Sequence, residues 1–304
     1  MTVDGNQSDT HQSAIGRRPA QPLRCQNAGH VAVSLCTCAV TVGSLLSLLF
    51  GPPVFVSPRF FSERDYPGSG SYYAGTDSGG ECGVAYESRF HMPTSAKDQT
   101  WWSVNYGPVH MAVISTEQNF TAGSAQYQWL LNDLAKVDRS QTPFLLLSGH
   151  RPMMIDSTND ALPGGDLPVA AELRAALEPL LQKYQVDAAF WGHHHSYQRT
   201  CPVINMSCSP QGTVHIVTGA AGPSFSTNVQ PVVPEWIEFV DVATHGYVRA
   251  HVRNQGQTLT LDFVAAKDRT VRDSVTLKSK FPRVKAAAPS VRLSEEQPQL
   301  MSFV

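Results

Sequence analysis

Apolar and polar positions along the chain follow two regimes, with a change near residue 213. Between residues 109 and 192, short apolar runs alternate with longer periodic ones. "VHMAVIS" (109–115), "PFLLLSG" (143–149) and "VDAAFWG" (186–192) are nearly continuous in apolar residues, as strands buried on both faces of a parallel sheet are. Between the first two, "SAQYQWLLNDLAKVD" (124–138) predicts a helix capped by Ser124, with Tyr127, Leu130, Leu131 and Leu134 sharing a face. Between the last two, "VAAELRAALEPLLQKY" (169–184) predicts an amphipathic helix despite Pro179, with Leu173, Leu177, Leu180, Leu181 and Tyr184 on one side. Strand, helix, strand, helix, strand is the order of consecutive βαβ units.

From residue 213 the helical period disappears. "TVHIVTG" (213–219), "GYVRAHVRN" (246–254), "QTLTLDFVAA" (257–266) and "VRDSVTLK" (271–278) alternate or are rich in β-branched residues, and the last three predict an antiparallel meander. Residues 58–108, dense in Gly, Ser, Tyr and Pro, read as loops and turns. Residues 1–28 are polar and irregular, and the tail 281–304 is polar with prolines. The 31–50 segment, "VAVSLCTCAVTVGSLLSLLF", carries no charge and has the length of a membrane span, with Arg17, Arg18 and Arg24 upstream. As an anchor it would leave the body on the luminal or outer side. Its Ser, Thr, Cys and Gly content leaves a non-membrane extension as the alternative.

Composition changes this picture little. At 304 residues, 42% of them hydrophobic, the chain has enough apolar material for a sizeable core. A net charge of -2 gives no electrostatic footing for nucleic acid, and none is expected as a partner. Cys201 and Cys208 bracket the short stretch "CPVINMSC" and form a candidate local disulfide. Sequons at Asn6, Asn119 and Asn205 favour a secretory route; Asn119 and Asn205 fall in the folded body as glycosylation candidates.

Two histidine clusters fall at the carboxyl ends of predicted strands, where open α/β sheets gather functional groups. His150 ends "LLLSGH", and His193, His194 and His195 follow "AAFWG". In an extended segment i and i+2 share a side, so His193 and His195 would face the crevice while His194 points away. Imidazole is the commonest metal ligand, but a histidine run taken alone is more often an ordinary solvated loop. His110 and His215, within or at the start of strands, read as structural.

The stretch "GHHHSYQRTCPV" resembles the G-H-x-H motif of the purple acid phosphatases, within the calcineurin-like metallophosphoesterases. "LSGH" resembles the same family's V-x-x-H motif, with Leu147 for Val. "DYPGSGSYY", "DSGGECGVAYESRFHMP", "WWSVNYGPVHMAVISTE", "VHIVTGAAG" and "PEWIEFVDVATHGYVRA" fit the plant-type members in the right order. The resemblance spans roughly residues 63–280 and is carried by these ordered motifs. It implies the C-terminal part of a four-layer α/β/β/α metallophosphoesterase sandwich, ending in the antiparallel β meander. The implied domains are an unrelated extension over 1–62, the metallophosphoesterase domain over 63–280 without its N-terminal half, and a loose tail over 281–304.

The resemblance further implies hydrolysis of phosphate monoesters by a binuclear centre of Fe with Zn, Mn or Fe, in an extracellular or luminal protein. His150 and His193 would serve one metal and His195 the other. The family's remaining ligands are two aspartates, a tyrosine and an asparagine, from G-D-x-G, G-D-x-x-Y and G-N-H-[DE]. This chain shows neither aspartate motif before residue 63, and Phe60-Phe61-Ser62-Glu63 stands where the asparagine motif belongs. Neutral imidazoles alone bring no negative charge to offset two cations. The alternative is therefore a catalytically inactive remnant or binding module.

Overall fold

The computed structural model describes residues 92–94, 99–162, 164–222 and 224–281. The 1–62 extension, its 31–50 candidate anchor, the Phe60–Glu63 stretch and all but the first residue of the 281–304 tail lie outside the described residues. No described helix is long and apolar enough to cross a membrane.

The apolar runs form the centre of one mixed sheet. β1 (Trp102–Tyr106) pairs antiparallel with β2 (Val109–Val113). β2 then runs parallel to β3 (Phe144–Ser148), β3 to β4 (Ala188–Trp191), and β4 to β7 (Thr213–Thr218). β5 (Tyr197–Ile204) returns antiparallel to β7 and carries β6 (Ser207–Cys208) and β8 (Ile237–Asp241) along its other edge. The two predicted helices are the β2–β3 and β3–β4 crossovers: α1 (Ala125–Lys136) and α2 (Asp166–Tyr184). Ser124 caps α1 by accepting from the Tyr127 N–H at 3.1 Å.

Period-two alternation decides which residue serves which layer. Ala112, Leu145, Leu147, Ala189 and Trp191 pack under the helices with Leu130, Leu134, Leu173, Leu177 and Leu181. Their neighbours Val109, Met111, Phe144, Leu146, Ala188 and Phe190 face the opposite way. There they meet Val248, Leu259, Leu261 and Phe263 from a second sheet, the meander β9 (Gly246–Arg253), β10 (Thr258–Ala265) and β11 (Val271–Lys278). Among the described residues, helices, mixed sheet and antiparallel sheet thus stack as α/β/β, three of the four layers of the expected sandwich. A polar clasp joins the two sheets: Arg199 of β5 makes two hydrogen bonds to Asp273 of β11 (2.6 and 2.9 Å), and the Tyr197 hydroxyl donates to the same carboxylate at 2.8 Å.

The structure corrects the sequence reading of the segment before β2. Residues 58–108 are not all loop, because Trp102–Tyr106 form a strand. Trp102 is buried in the face toward the meander while Asn105 is exposed, an alternation too short and too interrupted by Gly107 and Pro108 to stand out. β5, β6 and β8 were likewise not marked by the apolar pattern; β5 has Gln and Thr at buried positions and Arg and Pro at half-buried ones.

Candidate metal centre

β3 and β4 are neighbours, so their carboxyl ends meet. The parallel ladder continues beyond both strands: Gly149 N–H donates to the Phe190 carbonyl (3.0 Å) and Gly192 N–H to the His150 carbonyl (2.8 Å). These bonds hold the two histidine-bearing ends side by side. His150 Nε2 lies 3.1 Å from His193 Nδ1, and the rings meet edge to face at 89°.

The backbone at His193 is unusual. His193 sits at φ +60°, the centre of a three-residue turn closed by His194 N–H donating to the Gly192 carbonyl at 2.8 Å. A β-carbon residue held there costs about 1–3 kcal/mol, and such strain gathers at functional positions. Ser196 N–H then donates to the His194 carbonyl (2.8 Å), so the chain folds tightly through all three histidines. This overturns the extended-segment picture: His193 and His195 do not owe their directions to an i, i+2 alternation. His194, expected to point away from the crevice, is enclosed by the protein. It is buried, its Nδ1 is 2.7 Å from Ser196 Oγ, and burial holds its pKa below the ordinary value, with the Asp166 charge opposing.

Two glycines let β7 and its following loop close over this turn. A Cβ on Gly219 would fall onto the His194 carbonyl oxygen. One on Gly222 would press to 3.1 Å from the His195 ring. Beside them His195 N–H donates to Ser226 Oγ and Ser226 N–H to the His195 carbonyl, both at 3.0 Å.

Several charged groups surround His193 that the sequence did not single out. Arg151 Nη1 lies 3.4 Å from His193 Nε2, and Asp166 Oδ1 lies 3.6 Å from the same nitrogen. Arg151 is fixed by Glu117 (Nε to Oε1, 2.9 Å) and by donating to the Gly164 carbonyl (2.8 Å). Asp166, in the first turn of α2, accepts from Ser157 Oγ at 2.6 Å, and Ser157 accepts from Asn228 Nδ2 at 3.0 Å. Arg151 was signalled only by following His150, and Asp166 only as an acidic residue opening a helix. Their meeting with His193 is a tertiary contact between segments 42 and 27 residues away.

Two nitrogens bonded to one cation at about 2.0–2.1 Å stand about 2.8–3.4 Å apart, from right-angled to tetrahedral geometry. The His150–His193 separation falls in that interval, which an N–H···N hydrogen bond also occupies. A two-metal centre is a different matter. Among the described residues no group of three or more His, Cys, Asp or Glu is placed to hold a metal ion. The sequon asparagines are exposed: Asn119 accepts from Thr121 N–H and Oγ, and Asn205 occupies the tight β5–β6 turn at φ +49°. Cys201 and Cys208 are joined by a disulfide across that hairpin.

Known proteins resemble this chain in sequence and fold. Residues 212–274 match the family model described as iron/zinc purple acid phosphatase-like protein C. The chain is 37% identical over 234 residues to the protein named probable inactive purple acid phosphatase 27 of Arabidopsis thaliana, covering 74% of this chain and 38% of that one. It is 32% identical over 191 residues to acid phosphatase type 7 of Homo sapiens, covering 56% and 43% respectively. A purple acid phosphatase isolated from yellow lupin (Lupinus luteus) seeds superposes with a TM-score of 0.64 at 33% identity, over 71% of this chain and 39% of that one. The chain therefore spans well under half the length of these relatives.

Proposed function

The chain belongs to the purple acid phosphatase family, of which it carries a C-terminal portion, and on that premise we propose that it is a phosphate-ester-directed metal-binding module holding one divalent cation through His150 and His193. The convergence of the two ring nitrogens at 3.1 Å carries this reading. A bound divalent cation would supply Lewis-acid polarisation of a phosphoryl oxygen. The chain's own groups do the rest. Gly149, Gly192 and Gly219 fix the backbone on which the imidazoles sit, and the Arg151 guanidinium, a natural partner for phosphate oxygens, stands beside His193.

In this reading the module does not turn over phosphate monoesters alone, because its ligands are neutral imidazoles and the family's aspartate motifs are absent from the sequence. The naming of several relatives as probably inactive is consistent with it. Acid phosphatase hydrolysis by a complete two-metal site, with Fe and Zn, Mn or Fe, is the second reading. It is favoured by His195 being held at the same sheet edge by Ser226 and Gly222. We also assign the protein to the secretory route, in support of which stand the Cys201–Cys208 disulfide and the exposed sequons at Asn119 and Asn205.

Titration of the purified protein with Zn2+ against a chromophoric chelator tests the proposal. One ion per chain is expected, lost in both His150→Ala and His193→Ala, with no hydrolysis of a chromogenic phosphate ester at acid pH. Two ions per chain, or turnover abolished by His195→Ala, would establish the enzymatic reading instead.

A further inference from the structure

Two connections wall the strand-end crevice. The one from β3 to α2 begins at Gly149 and His150, and the one from β7 to β8 lays Gly222 and Ser226 against His195. Five hydrogen bonds fasten them to each other. Thr158 donates to the Asn228 carbonyl from its N–H (2.7 Å) and its hydroxyl (3.3 Å), and Asn228 Nδ2 donates to Ser157 Oγ (3.0 Å). Gln230 donates to the Ser157 carbonyl from Nε2 (2.6 Å) and to Asp156 Oδ1 from its N–H (2.9 Å). Asp156 is the one titratable group in this set. Its backbone is tied on both sides to the Gln198 amide of β5, N–H to Oε1 at 2.8 Å and carbonyl to Nε2 at 2.9 Å, so it is not free to swing out to water. Asp156 is 1% exposed, and among the described residues no group donates to its Oδ2.

An ionised carboxylate spreads its charge over two oxygens and accepts at both. Asp156 has a donor on one oxygen only, in a dry setting, so ionisation there is costly and a proton on Oδ2 removes that cost. We propose that the Asp156 carboxyl is an acid-closed clasp between the two connections, holding them together when protonated and letting them part when ionised. A protonated Asp156 still accepts from Gln230 at Oδ1, so the fastening keeps its bonds. Once the connections part, water reaches Oδ2 and solvates the charge. The side chains that hold Asp156, Gln198 on β5 and Gln230 on the β7–β8 connection, are neutral. The titratable groups reached through the network are Asp166, by way of Ser157, and His194, by way of Gln198 and Ser196. Burial raises the Asp156 pKa above the ordinary 3.8, the Gln230 bond opposing. The closed form therefore binds a proton that the open form gives up. Closure is fully favoured below 3.8 and is lost as pH rises through the raised value. None of this needs a cation at His150 and His193, and no ligand of that site titrates in it.

The test follows amide hydrogen exchange of the full chain from about pH 4.5 to about pH 7, each rate corrected for intrinsic exchange. The Thr158 and Gln230 amides report the clasp, and those of β9 and β10 report global unfolding. In the wild type, protection at Thr158 and Gln230 is expected to fall by about threefold or more as pH rises, without a matching fall in the meander. Asp156→Asn, which keeps an acceptor for Gln230 and carries no charge, is expected to hold the acid level of protection at every pH. Wild-type protection that is flat or rises with pH overturns the proposal, as does a fall shared equally by the meander. A folded Asp156→Asn protein whose connections exchange freely throughout also overturns it, because the carboxylate would then be needed as an acceptor. The 13C shift of the Asp156 carboxyl gives a reading that needs no variant. Titration above 3.8 is expected, and titration at or below it refutes the clasp.

Discussion

His215 and the His150–His193 pair occupy the same sheet, and β4, which leads into His193, pairs directly with β7, which carries His215. Their surroundings differ in kind. His215 is buried beside Ala189; its Nδ1 accepts from Trp191 Nε1–H at 3.1 Å, and its backbone N–H donates to Thr200 Oγ1 at 2.9 Å. Burial, with the Arg174 charge nearby, lowers its pKa to about 3. The pair at the strand ends instead turns one nitrogen of each ring toward the other, and His193 holds a positive φ beside Arg151 and Asp166. A histidine sealed in the sheet is architecture. Two whose ring nitrogens converge offer a place for a ligand.

The largest way to test this contrast is acid. Between its ordinary 6.5 and about 3, the unfolded chain binds a proton at His215 that the folded chain refuses. Stability should therefore fall as pH drops through that window, by about 1.4 kcal/mol per unit and at most about 5 kcal/mol in all. Denaturant melts across pH would show the slope, and His215→Gln, which keeps an acceptor for Trp191 but does not titrate, should flatten it. An unchanged slope would mean that His215 is not the group responsible.

Next comes the close approach of β7. Gly219→Ala forces a methyl onto the His194 carbonyl and should cost about 1–3 kcal/mol while loosening Zn2+ binding. Equal affinity in a folded Gly219→Ala protein would separate the loop's packing from the site. The smallest effect is the most diagnostic. His193→Gly relieves a positive φ and should leave stability unchanged or raise it by up to about 1 kcal/mol, with metal binding lost. A marked loss of stability would place His193 with His215 among the structural histidines.

The sequence made much of this legible, for identifiable reasons. β2, β3 and β4 are buried on both faces, so they read as apolar runs, and α1 and α2 bury one leucine-rich stripe each. Strand β11 stands out although half exposed, because Val271, Val275 and Leu277 alternate with polar residues. β1 escapes notice because it buries only Trp102, followed by half-buried Ser103 and exposed Asn105, and β5 because its buried positions include Gln and Thr satisfied by partners far along the chain. Gln198, for instance, is buried because it bonds the backbone of Asp156 from both ends of its amide. The histidines were visible as motif residues. Their charged surroundings were not, since Arg151, Asp166 and Ser157 meet there only through the fold.

The Arg199–Asp273 clasp has a consequence for how the molecule assembles. Its two ends are 74 residues apart, whereas the β9–β10 and β10–β11 pairings close over short connections. Loop-closure entropy makes such distant contacts late ones, so the meander sets its own register before the clasp can join it to the larger sheet. The clasp is then a latch against escape more than a guide to the native state. Asp273→Asn should speed unfolding and leave refolding nearly unchanged, and a slowed refolding limb in stopped-flow measurements would refute that order of events.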